Sequence, residues 1–296
     1  MIKLLSRNYR FTYSYYNCSS HPIMTRGILY VATDDQFVKE AAISASSVKN
    51  SMDIDITLIT DKQRSIDVFD TIIVLENPEY DFIDKIYGMM ESPYDETLYL
   101  DTDTYMEDDI YGLFDLLGRF DLAGALNHDR ITTELTSVPE TFPEYNTGVL
   151  AYESEGLDGF LEDWLENYKQ NKENYHGDQE SFRETLYHSE LRVATIPPEY
   201  NCMVRYPGHA REKVRVFHGR LMDLDTMGSS VKFDTEQAVK EINRVDGHRV
   251  FYPSGGLMRS FKKIDSIPLS HRFSLIRRGA IFLLPEPILS KLREYI

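Results

Sequence analysis

Apolar residues in this chain gather in short runs separated by polar segments of helical period. Gly27–Thr33 is such a run, with the β-branched and aromatic content of a buried strand. Thr33-Asp34-Asp35-Gln36 follows with the spacing of a capping box, Thr33 as N-cap and Gln36 reaching back. Phe37, Val38, Ala41, Ala42, Ala45 and Val48 then recur at helical intervals and predict an amphipathic helix to about Asn50. Asp55–Thr60 is the next strand, and a βαβ unit of this kind favours parallel pairing. Thr71–Leu75 predicts a third strand, Phe82–Met90 a helix, and Thr97–Leu100 a fourth strand. Asp121–Leu126, Thr147–Tyr152, Arg192–Ile196 and Val214–Phe217 are further strand candidates, with helices at about 157–171 and 178–188. The alternation predicts an α/β fold: an open, mixed but mostly parallel sheet flanked by helices. Ligands of such sheets sit beyond the carboxyl ends of the strands. Thr33-Asp34, Asp61 and Asp101–Asp103 all fall at such ends.

Elsewhere the pattern is weaker. Residues 127–145 carry little periodicity and include Pro139 and Pro143, so they are expected to form a long loop near the site. Beyond Leu221 only 235–245 reads as helical. Arg277–Leu292 mixes basic and apolar residues around Pro285 and Pro287, which suits either a membrane-surface contact or a piece packed on the body. Residues 1–23 show no sustained period and no apolar core of a signal peptide, while Met24 directly precedes the first strand. The expected organisation is an extension over 1–23, a catalytic domain over 24–220, and a C-terminal helical or irregular region over 221–296.

Composition narrows the function. A chain of 296 residues with 42% hydrophobic and 12% aromatic residues can bury a sizeable core. Its net charge of −16 argues against nucleic acid as a partner, because phosphate backbones demand Lys and Arg. No apolar stretch approaches the ~20 residues of a membrane-spanning helix. Cys18 and Cys202 are the only cysteines, which excludes a disulfide scaffold and predicts free thiols in a reducing, cytoplasmic setting.

The chemistry-bearing stretch is Asp101-Thr102-Asp103-Thr104, directly after Thr97-Leu98-Tyr99-Leu100. If the strand continues, Asp101 and Asp103 share one face while Thr102 points away. Two carboxylates that close need a compensating cation or a shared proton. Mg²⁺ or Mn²⁺ is the usual ion for such hard oxygens, with substrate phosphates completing its shell. The same letters suit a haloacid-dehalogenase-type phosphatase with Asp101 as nucleophile. That reading wants a later acidic metal pair, for which Asp108-Asp109 follows too soon. A nucleotidyltransferase would want a Gly-rich first turn, and Ala32-Thr33-Asp34-Asp35 has none. A non-catalytic nucleotide- or carbohydrate-binding protein stays open.

Taken in order, these pieces resemble a GT-A glycosyltransferase, a Rossmann-like nucleotide-diphospho-sugar transferase, most closely the retaining GT8-like group. Four segments carry the resemblance between Met24 and Arg220: Tyr30-Val31-Ala32-Thr33-Asp34; Lys85 ahead of Tyr99-Leu100-Asp101-Thr102-Asp103; Asn146-Thr147-Gly148-Val149-Leu150; and Gly177-Asp178-Gln179-Glu180. The resemblance implies Asp101, Asp103 and His218 as ligands of Mn²⁺ or Mg²⁺, with neutral imidazole a suitable third donor. It implies donor contacts from Ala32, Thr33, Asp34, Asp61, Lys85, Thr102, Asn146, Gly148, Gly219 and Arg220. Asp178 and Gln179 are the implied catalytic pair facing the sugar. The donor would be a nucleotide sugar, UDP-linked in most of the group, and the acceptor a glycan, protein or lipid that the sequence does not specify. Transfer with retention follows from the Asp-Gln pair; inversion would follow if Asp178 were a general base. The family's usual phosphate-clamping lysine is not evident after His218, where Gly219-Arg220-Leu221 stands, and Arg220 or Lys232 is the substitute to consider.

Overall fold

A computed structural model describes residues 24–128, 131–219, 235–244, 247–254 and 257–261. Arg220, Lys232, Cys18, the segment 1–23 and the stretch Arg277–Leu292 lie outside the described residues. In chain order the elements are β1 (Arg26–Ala32), α1 (Asp35–Ser51), β2 (Asp55–Thr60), β3 (Thr71–Val74), α2 (Ile83–Met90), β4 (Glu96–Leu100), β5 (Thr104–Met106), α3 (Phe114–Leu117), β6 (Leu122–Leu126) and β7 (Tyr145–Glu153). They continue with α4 (Ser154–Asn171), α5 (Gln179–His188), β8 (Val193–Thr195), β9 (Cys202–Met203), β10 (Gly208–Ala210), β11 (Val216–His218), α6 (Thr235–Asn243), β12 (Arg249–Ser254) and β13 (Leu257–Phe261).

The central sheet has the order β3-β2-β1-β4-β7-β6-β8. β1, β2, β3 and β4 are parallel, as the βαβ pattern predicts, whereas β7 runs antiparallel to both β4 and β6. β1 explains the unbroken apolar run. Ile28, Tyr30 and Ala32 pack with Val38, Ala41, Ala45 and Val48 of α1, while Leu29 and Val31 pack on the opposite face with α2 and α4. A strand covered on both faces reads as continuous rather than alternating hydrophobicity. The reversal of β7 matters for function. It brings the start of β7 to the same sheet edge as the end of β4, and Asp101 N–H donates to the Gly148 carbonyl at 2.8 Å.

The cap of α1 differs from the expectation. Asp34, in extended backbone, is the N-cap, and its carboxylate accepts from Gln36 N–H at 2.8 Å. Thr33 instead donates its hydroxyl to Asp84 Oδ2 at 2.7 Å. Strand geometry runs through Ala32 and Thr33 is already turning away, so the cap falls one residue later than the letters suggest.

Two small sheets, β5-β11-β9 and β10-β12-β13, sit on this body. Residues 249–254 and 257–261, left without an element by the sequence pattern, form the antiparallel pair β12–β13, and 235–243 is helical as expected. β10 pairs with β12, and Val204, Val214 and Phe217 share a core with Ala238, Ile242 and Phe251. The chain before and after residue 220 is thus joined by both a sheet and a core. No helix among the described residues is long and apolar enough to cross a membrane. Cys202 is a free, buried thiol whose pKa burial pushes upward.

Candidate functional site

β4 ends at Leu100, and the chain turns at once. Thr104 N–H and its hydroxyl both donate to the Asp101 carbonyl, at 3.2 and 2.8 Å. The two aspartates therefore stand on a tight turn rather than on an extended strand as the alternation argument assumes. β5 then pairs antiparallel with β11 in a register that sets Thr104 opposite His218. A further bond, Gly219 N–H to the Asp103 carbonyl at 3.2 Å, closes the corner. His218 Nε2 consequently lies 3.1 Å from Asp103 Oδ1 and 3.6 Å from Asp101 Oδ2.

The imidazole is oriented from behind. His218 Nδ1 is 2.8 Å from Asn201 Oδ1, and Asn201 Nδ2 donates to Asn146 Oδ1 at 2.8 Å, which also accepts from Gly148 N–H. With an amide oxygen facing Nδ1, that nitrogen carries the proton and Nε2 turns toward the carboxylates, the arrangement found behind metal-binding histidines. Burial disfavours the imidazolium, but the charges of Asp103 and Asp101 outweigh it and hold the His218 pKa above its usual value. A divalent cation would compensate the same carboxylates in place of the imidazole proton. One ligand atom from each of Asp101, Asp103 and His218 lies within 4.8 Å of the others, so the donor set fits Mn²⁺ or Mg²⁺. Gly148 is part of the fit. A Cβ there would collide with the His218 ring and come within 2.7 Å of Asp101 Oδ2.

Lys85 links this corner to the second half of the site. Buried on α2, its ammonium lies 3.1 Å from Asp101 Oδ1 and 2.9 Å from Asp178 Oδ2, and donates to Thr147 Oγ1 at 2.9 Å. Burial works against the charged form, yet Asp101 and Asp178 more than offset it and raise the Lys85 pKa. Tyr99 donates to Asp101 Oδ1 at 2.7 Å, and burial beside Asp101 keeps its phenol protonated. Asp178 occupies the N-cap position of α5 without capping it. Its carboxylate accepts instead from Thr147 Oγ1 at 2.7 Å and from Lys85. Gln179 Oε1 is buried with no hydrogen-bond partner among the described residues. Native structures rarely leave such an oxygen unpaired.

These groups face one cavity of about 580 Å³. Its wall includes Ala32, Thr33 and Asp34 from the end of β1, with Lys85, Asn146 and Gly219. Asp101, Asp103, His218, Asp178 and Gln179 complete the polar side. Thr102 also lines it, though its hydroxyl points to α1 and donates to Glu40 Oε2 at 2.6 Å. Asp61 is placed apart from that wall. Its carboxylate accepts from Arg64 Nη2 at 2.7 Å and from the Thr60 hydroxyl at 3.0 Å.

Several wall residues carry no signal of a site. Phe37 reads as one more core position of an amphipathic helix, Phe82 as the start of another, and Tyr80 falls in a stretch without period. Tyr80 has a left-handed backbone (φ 58°) fixed by Asp84, which accepts from its N–H at 2.8 Å. Met203 and Arg205 come from β9 and the loop after it, the least periodic part of the body. The described residues of the long loop 127–145 do not line the cavity. The loop is tied to α5 through Thr133 and Glu180 and to its own end through Thr132 and Glu144.

No family model matches the sequence, and no curated protein matches it. The fold does have counterparts among solved structures. The galactosyltransferase LgtC, determined with donor and acceptor sugar analogs, aligns over 71% of this chain and 92% of its own, with a TM-score of 0.52 and 14% identity. The fold is GT-A. The glycosyltransferase GlyE of Streptococcus pneumoniae TIGR4 matches with 17% identity and a TM-score of 0.46 over 59% of this chain, which spans 46% of GlyE.

Proposed function

We propose that this chain is a metal-dependent glycosyltransferase that moves a sugar from a nucleotide-diphosphate donor, UDP-linked in the first instance, to a glycan, protein or lipid acceptor with retention. The observation that carries the reading is the meeting of two constellations in one cavity. Asp101, Asp103 and His218 form one, and Lys85, Asp178 and Gln179 the other, bridged by the Lys85 ammonium.

Asp101, Asp103 and His218 would hold Mn²⁺ or Mg²⁺, which as a Lewis acid would stabilise the negative charge that a departing diphosphate gains. Lys85 fixes both carboxylates it bridges, so that Asp178 presents its free edge to sugar hydroxyls. Ala32, Thr33 and Asp34 contact the nucleotide beside Phe37. The orphaned Gln179 Oε1 lies against the sugar near the anomeric carbon. In same-face transfer the bond from that carbon to the phosphate oxygen breaks with its electrons passing to the diphosphate. The acceptor hydroxyl attacks from the side being vacated and gives its proton to the leaving phosphate oxygen. Asp178 is committed to Lys85 and Thr147, which supports a binding role for it over that of a general base.

A panel of nucleotide sugars, assayed for hydrolysis with Mn²⁺ and after chelation, tests the reading. One or more donors are expected to turn over only with metal. Tight binding of a donor with no turnover under any condition contradicts catalysis and leaves a binding protein.

A further inference from the structure

The cavity wall is crowded with carboxylates: Asp34, Asp81, Asp84, Asp101, Asp103 and Asp178. Against these, among the described residues, stand two permanent cations, Lys85 and Arg205. Lys85 is fully engaged by Asp101, Asp178 and Thr147. Arg205 is not. Its Nε donates to the Gly219 carbonyl at 3.2 Å, and among the described residues it has no carboxylate partner. A guanidinium held by one N–H, in a pocket full of acid yet paired with none of it, keeps a planar fork of donors for an anion.

The local architecture holds it there. β9 pairs in parallel with β11, Met203 opposite His218, and Val204 N–H donates to the His218 carbonyl at 2.9 Å. The chain therefore delivers Arg205 to the same strand end as His218. Gly219 adopts a left-handed backbone (φ 115°), and a Cβ on it would come within 2.9 Å of Met203 Sδ and 3.0 Å of Arg205 Cγ. A side chain at 219 would thus be strained and would push Arg205 off its carbonyl. The next residue, Tyr206, stacks on His128 with ring centroids 4.4 Å apart, which anchors the loop from its other side.

We infer that Arg205 is a diphosphate-binding residue, contributing a charge-assisted, two-pronged contact to the phosphates of a nucleotide donor beside the Asp101–Asp103–His218 corner. Arginine matches phosphate oxygens bidentately, and the contact strengthens as the leaving diphosphate gains charge. The inference rests on the donor reading given above and adds the residue that meets the leaving group.

Binding of inorganic pyrophosphate with Mn²⁺, measured by calorimetry on the full chain, tests it without knowledge of the base or sugar. The wild-type chain is expected to bind the complex. Arg205→Gln should weaken it on the order of ten- to a hundredfold, the range for a lost hydrogen bond to a charged group. Arg205→Lys should fall between, since it keeps the charge but not the fork. Wild-type affinity in Arg205→Gln overturns the role of Arg205 while leaving the site intact. A wild-type chain that neither binds Mn²⁺-pyrophosphate nor hydrolyses any nucleotide sugar overturns the donor reading itself, and this inference with it.

Discussion

At the end of β2, Asp61 is bound by Arg64, and Asp35 nearby is bound by Arg64 and Lys62 at 2.7 and 2.9 Å. At the end of β4, Asp101 and Asp103 share one buried histidine and half of one lysine. Both strands flank β1, and both ends are acidic, so by position alone they are equivalent. They differ in how the charge is compensated. The β2 corner pairs with arginine and lysine a few residues away, whereas the β4 corner draws its described partners from α2 and β11 and faces a cavity. An acidic strand end met by nearby cations needs no ligand to be stable, whereas one that opens on a cavity can also take one.

The largest effect belongs to the β4 corner. Asp101→Ala and Asp103→Ala are each expected to lower metal-dependent donor hydrolysis on the order of a thousandfold, since the charge stabilisation lost is worth several kcal/mol. Far-UV circular dichroism should be unchanged. Turnover within a few-fold of wild type in either variant would erase the distinction between the two corners.

Gly148→Ala sharpens the comparison without removing a ligand. The new methyl lands on the His218 ring, and overpacking of this kind costs about 1–3 kcal/mol. The expected result is a metal affinity lowered roughly ten- to a hundredfold, comparable to loss of an outer-shell partner. Calorimetric titration of Mn²⁺ reads it directly, and an unchanged affinity would show that the close approach of Gly148 is incidental.

The smallest effect is at β2, and it falls on stability rather than turnover. Hydrogen bonds from Lys62 and Arg64 hold the Asp35 carboxyl at about 2. Burial alone would raise Asp61, but bonds from Arg64 and Thr60 prevail and hold it below the usual carboxylate value. Both folded pKa values thus lie below the unfolded value of about 3.9. The stability they contribute is full above that value and is lost as pH falls toward about 2. Arg64→Gln should therefore lower the urea midpoint by a constant amount at neutral pH, a difference that shrinks below about pH 4, while donor turnover stays near wild type. A deficit that persists undiminished at pH 2, or a collapse of turnover, would contradict the assignment.

Legibility in the sequence followed the range of the interactions. Thr97–Leu100 is a run buried by its own composition, so both the strand and the acidic residues closing it could be read directly. Lys85, Asp178 and His218 could be placed at the site only through a resemblance, because nothing local to each residue shows that α2, α5 and β11 meet. The turn at Asp101–Thr104 was missed because alternation assumes the strand continues, while pairing of β5 with β11 bends it. The pairing of Asp61 with Arg64 could not be read from a strand end, which says nothing of an arginine three residues on. Arg205 carried no signal, since its role depends on the register of two very short strands. The β12–β13 pair escaped because it leans on residues far away in sequence, β10 and α6, rather than on a pattern of its own.

The central claim is that Asp101, Asp103 and His218 form a cation site and Asp61 does not. Titration of Mn²⁺ followed by electron paramagnetic resonance, in which the free-ion signal falls on binding, measures this most directly. The account predicts that wild type and Asp61→Ala remove the same amount of signal, and that Asp103→Ala at the same protein concentration removes almost none. Equal loss of signal in Asp103→Ala and wild type, or no loss in wild type at millimolar protein, would contradict it.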